Sequence, residues 1–222
     1  MNEQPVTVTR REIKGSPQYR GVTMVEIEIA YPRVLTKGNP AGQVISVFYD
    51  HVARRFYAYA SRKLYADAVQ NWKEARKNGF PFHAYGAGMV YEVPFNHGGL
   101  LSIYYDQYTY TGGAHGNTVR HADTWRVWDA RRLPLNAFFN DPGYRNIIFR
   151  SIFAQIQREP DKYFEDYQKN VFQYFDEKNY YLTPRGFAVF FQLYTIAPYV
   201  TGIPVFIVPY ELFGDMLKIR PV

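Results

Sequence analysis

The spacing of apolar residues changes along the chain, and this change constrains the fold more than any other feature of the sequence. In the stretch TMVEIEIAYP, apolar residues alternate with Glu26 and Glu28, as a half-buried strand requires. The apolar face of this strand consists of Val25, Ile27, Ile29 and Tyr31. The stretch VTVTRREI alternates in the same way, so we predict N-terminal strands with one buried and one solvated face.

A helical spacing follows the segment KGNPAG. Apolar residues recur there at intervals of three or four, at Val44, Phe48, Val52, Phe56 and Tyr59. This spacing predicts a long amphipathic helix whose aromatic stripe lies in the core. Asn78 and Gly79 are suited to end that helix, because both accept the left-handed conformation found at helix C-termini.

After residue 80 the pattern returns to strands. The stretches FHAYGAGMVYEVPFN, GLLSIYYDQYTYT and GNTVRHADTWRVWDA are joined by short links rich in Gly and Asn, which predicts a three-stranded antiparallel meander. Residues 142–178 are helical in pattern, with Ile148, Ile152 and Ile156 four apart and a break expected at Pro160. The apolar runs GFAVFFQLYTIAPY and GIPVFIVPYELF predict two buried C-terminal strands. The predicted fold is therefore α+β, with antiparallel sheets packed against the long helix and the second helical segment.

Composition excludes several kinds of site. The 222 residues include no cysteine, which rules out disulfides, cysteine-ligated zinc and thiol nucleophiles. The formal net charge of +6 favours anionic partners, but the basic residues are dispersed in pairs such as Arg54 with Arg55 and Arg62 with Lys63. We expect these pairs to form a solvated helix face, with polyanion binding through that face as an alternative, and we do not expect nucleic acid as the partner.

The sequence shows no membrane anchor. No apolar run approaches the roughly 20 residues of a membrane-spanning helix, and the N-terminus lacks the basic and apolar segments of an export signal. If Met1 is the native start, these features predict a cytoplasmic protein. If residues precede Met1, they are compatible with the cell envelope.

The stretch TYTGGAHGN holds a histidine among glycines and raises the question of catalysis. His115 could act as a general base if Asp106 or Asp123 oriented its imidazole, or as a metal ligand if His97 and His121 lay beside it. The chain has no GxSxG, HExxH or phosphate-loop motif and few serines to serve as nucleophile. We therefore expect no catalytic residue, metal or cofactor, and we expect His115 to bond to local groups in a tight turn.

Two longer stretches resemble a known family. The segments SIYYDQYTYTGGAHGNT and YLTPRGFAVFFQLYTIAPYVTGIPVFIVPYEL resemble the bacterial domain of unknown function in the extracytoplasmic part of RsiV-type, lysozyme-sensing anti-sigma factors. The matching positions are residues 108–116, Trp125, and the closing motif YxxxPYxxG formed by Tyr194, Pro198, Tyr199 and Gly202. The N-terminal half, with its Tyr31-Pro32 pair, resembles the companion domain found beside PdaC-type peptidoglycan deacetylases. We place the domains at 1–107 and 108–222 and expect them to form one compact unit.

The resemblance implies a non-catalytic binding or sensing module of the cell envelope, and not an enzyme. We expect recognition at the hairpin end and the closing motif, through Tyr108, Tyr110, Thr111, His115, Asn117, Tyr194, Pro198 and Tyr199. The expected turn residues are Gly112, Gly113, Gly116 and Gly202.

The expected partner is a protein or a wall glycan, on which exposed tyrosines could stack. Lysozyme is disfavoured because animal-type lysozymes and this chain are both basic, and Thr195 stands where the family often has an acidic residue. Two alternatives stay open. The protein could be a hydrolase of envelope polymers with His115 in its site, or the tyrosines could serve only to hold the hairpin against the core.

Overall fold

The computed structural model describes residues 5–221, so the first four residues of the predicted N-terminal domain lie outside the described part. The strands are β1 (Thr7–Gly15), β2 (Gln18–Tyr19), β3 (Val22–Thr23), β4 (Val25–Leu35), β5 (Tyr85–His97), β6 (Leu100–Tyr110), β7 (Asn117–Arg126), β8 (Arg131–Arg132), β9 (Tyr180–Thr183), β10 (Gly186–Phe190) and β11 (Val205–Val208). The α-helices are α1 (Ala41–Tyr59), α2 (Tyr65–Asn78), α3 (Tyr144–Ile156) and α4 (Tyr167–Tyr174). A π-helical turn, Ala60–Leu64, joins α1 to α2, and short 3₁₀-helices occur at Leu135–Phe138, Pro160–Lys162, Tyr199–Thr201 and Tyr210–Met216.

The described residues form a six-stranded sheet in the order β1-β4-β5-β6-β7-β8. Strand β1 runs antiparallel to β4, with Arg11 opposite Tyr31. Strand β4 runs parallel to β5, with Val25 opposite Tyr85. This parallel pair was not predicted, but it follows from the long helix between the two strands, because a helical crossover returns the chain to the same end of the sheet. The predicted α+β class is confirmed.

The predicted long helix is confirmed as α1, the π-helical turn and α2, and it ends at Gly79 with a left-handed φ of +72°. Its buried face is rotated slightly from the predicted stripe. Val44 is 54% exposed, whereas its neighbour Ile45 is fully buried. The other large buried side chains of α1 are Tyr49 and Phe56. Two adjacent apolar stripes run along this helix, and contact with β4 decides which one is covered.

The chain divides into two units whose segments interleave along the sequence. One unit contains Thr7–Tyr91 and Tyr105–Val119. The other contains residues 5–6, then Glu92–Tyr104, then residues 120–221. Strands β5, β6 and β7 therefore contribute residues to both units.

The unit that contains the C-terminal half has a sheet in the order β11-β10-β9. The two predicted C-terminal strands are β10 and β11, and β9 is an additional strand that pairs Leu182 with Phe187. Helix α3 packs on β11 and buries Ile148, Ile152 and Ile156, as their spacing predicted. The predicted break at Pro160 separates α3 from α4.

No helix within residues 5–221 has both the length and the apolar composition that crossing a lipid bilayer would require.

Candidate functional site

At the end of the β6–β7 hairpin, a tyrosine ring packs closely against a glycine. Gly116 is buried although its neighbours in the turn are exposed, because the ring of Tyr108 lies directly on it. A Cβ at Gly116 would stand 2.2 Å from Cε2 of Tyr108, far inside van der Waals contact. Gly112 has a φ of +84°, which side-chain-bearing residues rarely adopt. At Gly113, in contrast, a Cβ would meet no described atom within 4 Å.

Tyr108 and Tyr110 of the hairpin also contact the adjacent strand, β5. Cβ atoms placed at Gly86 and Gly88 of β5 would lie 3.5 Å from Cβ of Tyr110 and 3.8 Å from Cβ of Tyr108. Both distances are ordinary van der Waals contacts, so the segment GAGMVY packs against the hairpin tyrosines, a contact that the sequence did not reveal because it depends on a neighbouring strand. Tyr108 remains 39% exposed and Tyr110 is half-buried.

His115 is exposed at the tip of the hairpin, and its Nδ1 donates to the carbonyl oxygen of the adjacent Gly116 over 3.0 Å. Asp106 is half-buried in β6, and Asp123 accepts from Nη1 of Arg132 at 3.2 Å. In the part of the chain that the structure describes, no three His, Asp or Glu side chains are grouped as a metal ion would require. That His115 is not catalytic stays a prediction, and the hydrolase with His115 in its site stays the alternative.

The closing motif lies in a loop between β10 and β11. Tyr194 has a φ of +64° without being glycine, and its side chain is 51% exposed. Its ring centroid lies 5.7 Å from that of Tyr199, so the two rings form a pair. Pro198 and Tyr199 are half-buried, and Gly202 has a φ of +75°.

Several hydrogen bonds hold this loop in place. Oγ1 of Thr195 donates to the carbonyl oxygen of Gln192 at 2.7 Å, and Oγ1 of Thr201 donates to that of Lys162 at 2.9 Å. The Gln192 side chain pairs with both backbone groups of Arg120, at 2.7 and 3.0 Å. The loop is therefore anchored at its base while Tyr194 and Val200 stay exposed.

A cleft of about 920 Å³ opens beside the first part of this loop. Its lining residues come from α3, from the segment 172–179 and from the loop, and include Gln192 and Thr195. Phe149 forms its aromatic floor, with ring centroids 4.8 Å from Phe172 and 5.0 Å from Phe175. These residues were not among the predicted binding residues, because they converge from separate helices.

One wall of the cleft carries a polar network. The hydroxyl of Tyr144 donates to Oε1 of Glu177 at 2.5 Å, and Nε of Arg145 donates to the same oxygen at 2.9 Å. Burial, and then the neighbouring carboxylate, raise the pKa of Tyr144 to about 12. The network fixes the position of the Glu177 side chain at the edge of a cleft whose lining is both aromatic and polar.

Comparison with known proteins finds two family models that each match part of the chain. Residues 22–118 match the family model described as Deacetylase PdaC, and residues 136–211 match that of the protein of unknown function DUF3298. No curated protein matches the chain.

Two solved structures share the fold over nearly the whole chain. A DUF3298 family member from Bacteroides fragilis is 17% identical with a TM-score of 0.72, and the alignment covers 100% of this chain and 97% of that one. A DUF3298 family protein from Pseudomonas aeruginosa PAO1 is 20% identical with a TM-score of 0.67, covering 97% of this chain and 95% of that one. The chain therefore resembles the Deacetylase PdaC model over residues 22–118 and the DUF3298 model over residues 136–211, and it has the fold of the two solved DUF3298 family proteins.

Proposed function

We propose that this chain is a non-catalytic binding module of the cell envelope, related to the extracytoplasmic part of RsiV-type anti-sigma factors, and that its closing loop recognises a protein or a wall glycan. The observation that carries the proposal is the conformation of Tyr194. A tyrosine in the left-handed region costs roughly 1–2 kcal/mol. Stability alone does not favour that conformation for an exposed side chain, whereas a need to present the ring for binding accounts for it.

The aromatic pair suits such a role chemically. Tyr194 and Tyr199 offer adjacent ring faces with hydroxyl groups at their edges, which can stack on a sugar or fill a pocket of a protein. The hydrogen bonds at the base of the loop hold the rings in position before a ligand arrives, which lowers the entropy lost on binding.

The cleft next to the loop supports the same conclusion. Gln192 and Thr195, which flank Tyr194 in the sequence, line it, and Phe172 is exposed on its other side. A volume of about 920 Å³ is within the range of ligand sites. A ligand that contacts the tyrosine pair could extend into this cleft.

The exposed hairpin tip is a second proposed contact region. Thr111, His115 and Asn117 have exposed side chains there, and Tyr108 keeps part of its ring accessible. The match of residues 22–118 to the Deacetylase PdaC model supports an envelope setting for the module. With a net charge of +6, we propose neither lysozyme nor nucleic acid as the ligand.

Sedimentation with purified bacterial sacculi tests the glycan form of this proposal. We expect the wild-type chain to co-sediment, and we expect Tyr194→Ala with Tyr199→Ala to weaken binding by about tenfold or more. Tyr59→Ala is the matched control, because Tyr59 is a comparably exposed tyrosine on α1.

Equal binding by the double variant and the wild type would contradict a role for the loop. If the wild-type chain does not sediment with sacculi, the wall glycan is excluded as ligand. Chemical crosslinking to envelope proteins, compared between the same three chains, then tests the protein form.

A further inference from the structure

Another cleft, of about 350 Å³, lies in the unit that contains β1, β4 and α1. The helix contributes Gln43, Ser46, Val47, Asp50 and Arg54. The strands contribute Arg11, Tyr31, Pro32 and Arg33. The cleft includes the Tyr31-Pro32 pair, which neither the closing loop nor the hairpin uses.

The local geometry of the elements explains why these residues meet. The helix residues are spaced by three, one, three and four positions, so they share one face of α1. Arg11 lies directly opposite Tyr31 in the antiparallel β1–β4 pair. Arg33 is two residues beyond Tyr31 and therefore lies on the same face of β4.

The floor of the cleft is polar and ordered. Tyr31 is only 4% exposed, and its hydroxyl donates to Oδ1 of Asp50 at 3.0 Å. Nε of Arg54 donates to Oδ2 of Asp50 at 2.7 Å. The hydrogen bond from Arg54 lowers the pKa of Asp50, so this carboxylate stays ionised at neutral pH. Each oxygen of Asp50 already accepts a hydrogen bond, and the carboxylate holds Arg54 at the cleft.

Positive charge exceeds negative charge among the lining residues. Three guanidinium groups, those of Arg11, Arg33 and Arg54, accompany the single carboxylate of Asp50. Within residues 5–221, no carboxylate lies at ion-pair distance from Arg11 or Arg33. Arg11 does interact with the Tyr31 hydroxyl and, through its charge, with Asp50, but neither guanidinium group is held in an ion pair with a described carboxylate, so both keep N–H donors for an anion from solution.

We propose that this cleft binds the phosphate group of a small molecule, with Arg11 and Arg33 as its donors. A phosphate carries up to two negative charges and three terminal oxygens, so it can accept from both guanidinium groups at once and balance the excess of three arginines over one aspartate. A carboxylate carries only one charge and two oxygens, and it balances less of that excess. The volume of about 350 Å³ is at the lower end of small-ligand sites and fits a compact phosphate ester.

The proposal is independent of the function assigned to the closing loop, because it concerns the other unit and a different chemistry. It also differs from polyanion binding along the basic helix face. Arg55 and Arg62 do not line the cleft, and Lys63 is paired with Asp67 at 2.7 Å. A diffuse basic face would depend on all of these residues, whereas the cleft depends on Arg11 and Arg33.

A titration with inorganic phosphate at constant ionic strength tests the proposal. Binding is measured from the changes in backbone amide chemical shifts in NMR spectra. We expect saturable shifts at β1, β4 and the first half of α1. Arg33→Gln and Arg11→Gln should each raise the dissociation constant about tenfold, the change that loss of one charge-assisted contact produces. Arg55→Gln removes an equal charge from the same helix outside the cleft, and it should change the constant less than about twofold.

Three results would overturn the proposal. The first is the absence of saturable shifts up to about 50 mM phosphate, a concentration at which even weak specific sites fill. The second is an equal loss of phosphate affinity in Arg33→Gln and Arg55→Gln, which would indicate attraction by the overall positive charge and not by a specific site. The third is binding of acetate as tight as that of phosphate, which would assign the site to carboxylates. Thermal melts of each variant show whether the fold is retained, since exposed substitutions of this kind change stability little.

Discussion

The hairpin end and the closing loop both combine tyrosine with glycine, yet they use tyrosine in opposite ways. In the hairpin, Gly116 has no side chain and the ring of Tyr108 takes that space. In the closing loop, Tyr194 itself occupies a left-handed conformation and its ring projects from the surface. In the hairpin, the missing side chain of the glycine allows a tyrosine ring to pack. In the loop, the tyrosine itself has the strained backbone, and its ring is exposed.

The proposed binding role therefore rests on the exposed tyrosine whose backbone is strained, and not on the tyrosine whose ring packs on a glycine. The family resemblance led us to expect recognition at both regions. We propose the closing loop as the primary contact, because the ring of Tyr108 in the hairpin packs on Gly116 whereas Tyr194 is exposed.

The largest expected effect on stability comes from adding a side chain at a glycine that is surrounded by backbone atoms. At Gly186 of β10 a Cβ would stand 2.2 Å from the carbonyl oxygen of Val208 and 2.9 Å from Cα of Pro209. Because both are backbone atoms, they cannot rotate away, and Gly186→Ala should lower the free energy of unfolding by roughly 3 kcal/mol or more. Urea denaturation measures this change. A loss similar to that of Gly113→Ala would show that the C-terminal strands adapt more than expected.

A smaller loss is expected at Gly116, where the obstacle is a side chain. Gly116→Ala should cost about 1–3 kcal/mol, since the ring of Tyr108 must leave its position. Gly113→Ala, whose Cβ would meet no described atom within 4 Å, should stay within about 0.5 kcal/mol of wild type. In a double-mutant cycle, prior removal of the ring by Tyr108→Ala should reduce the cost at Gly116. Strict additivity of the two substitutions would refute the packing role.

A third test concerns a tyrosine whose hydroxyl is buried. Free tyrosine ionises near pH 10, and the pKa of Tyr144 in the folded chain is about 12. Between these values the unfolded chain loses its proton first, so stability should fall as pH rises above 10 and should not depend on this group below pH 10. Tyr144→Phe loses one hydrogen bond, about 1 kcal/mol at neutral pH, but should show a shallower alkaline decline. Urea midpoints at pH 8 and pH 10.5 measure both, and an unchanged decline would contradict the assignment.

The smallest expected effect tests the strain at Tyr194. Tyr194→Asn should raise the free energy of unfolding by about 0.5–1 kcal/mol, because asparagine tolerates the left-handed region. Tyr199→Asn breaks the same ring pair at a residue without positive φ, so it should not raise the free energy of unfolding. Both substitutions should weaken ligand binding. A Tyr194 variant no more stable than the Tyr199 variant would mean that the loop is not strained, and the main support for the proposed function would be lost.

Local patterns predicted the elements well. The alternation in β4 correctly separated buried Ile27 and Ile29 from exposed Glu26 and Glu28, and Gly79 ends the long helix as expected. These predictions succeed because residue spacing and helix termination depend on the chain's own geometry.

Predictions that depend on a neighbouring segment were less complete. The choice between Val44 and Ile45 as the buried position rests on β4, and the contact of Gly86 and Gly88 with the hairpin tyrosines rests on β6. The third C-terminal strand, β9, is short and forms through pairing with β10. Both clefts join residues from separate elements, and only their separate members are visible in the sequence.

The sequence by itself determined most of the segments that become strands and helices, that cysteine chemistry is excluded, and that two motif-bearing stretches resemble known families. Tertiary structure alone decided which tyrosines are covered, which one is strained and exposed, and which arginines meet in one cleft. The physical reason is that periodicity is a property of a single segment, whereas exposure and charge proximity depend on the segment that packs against it.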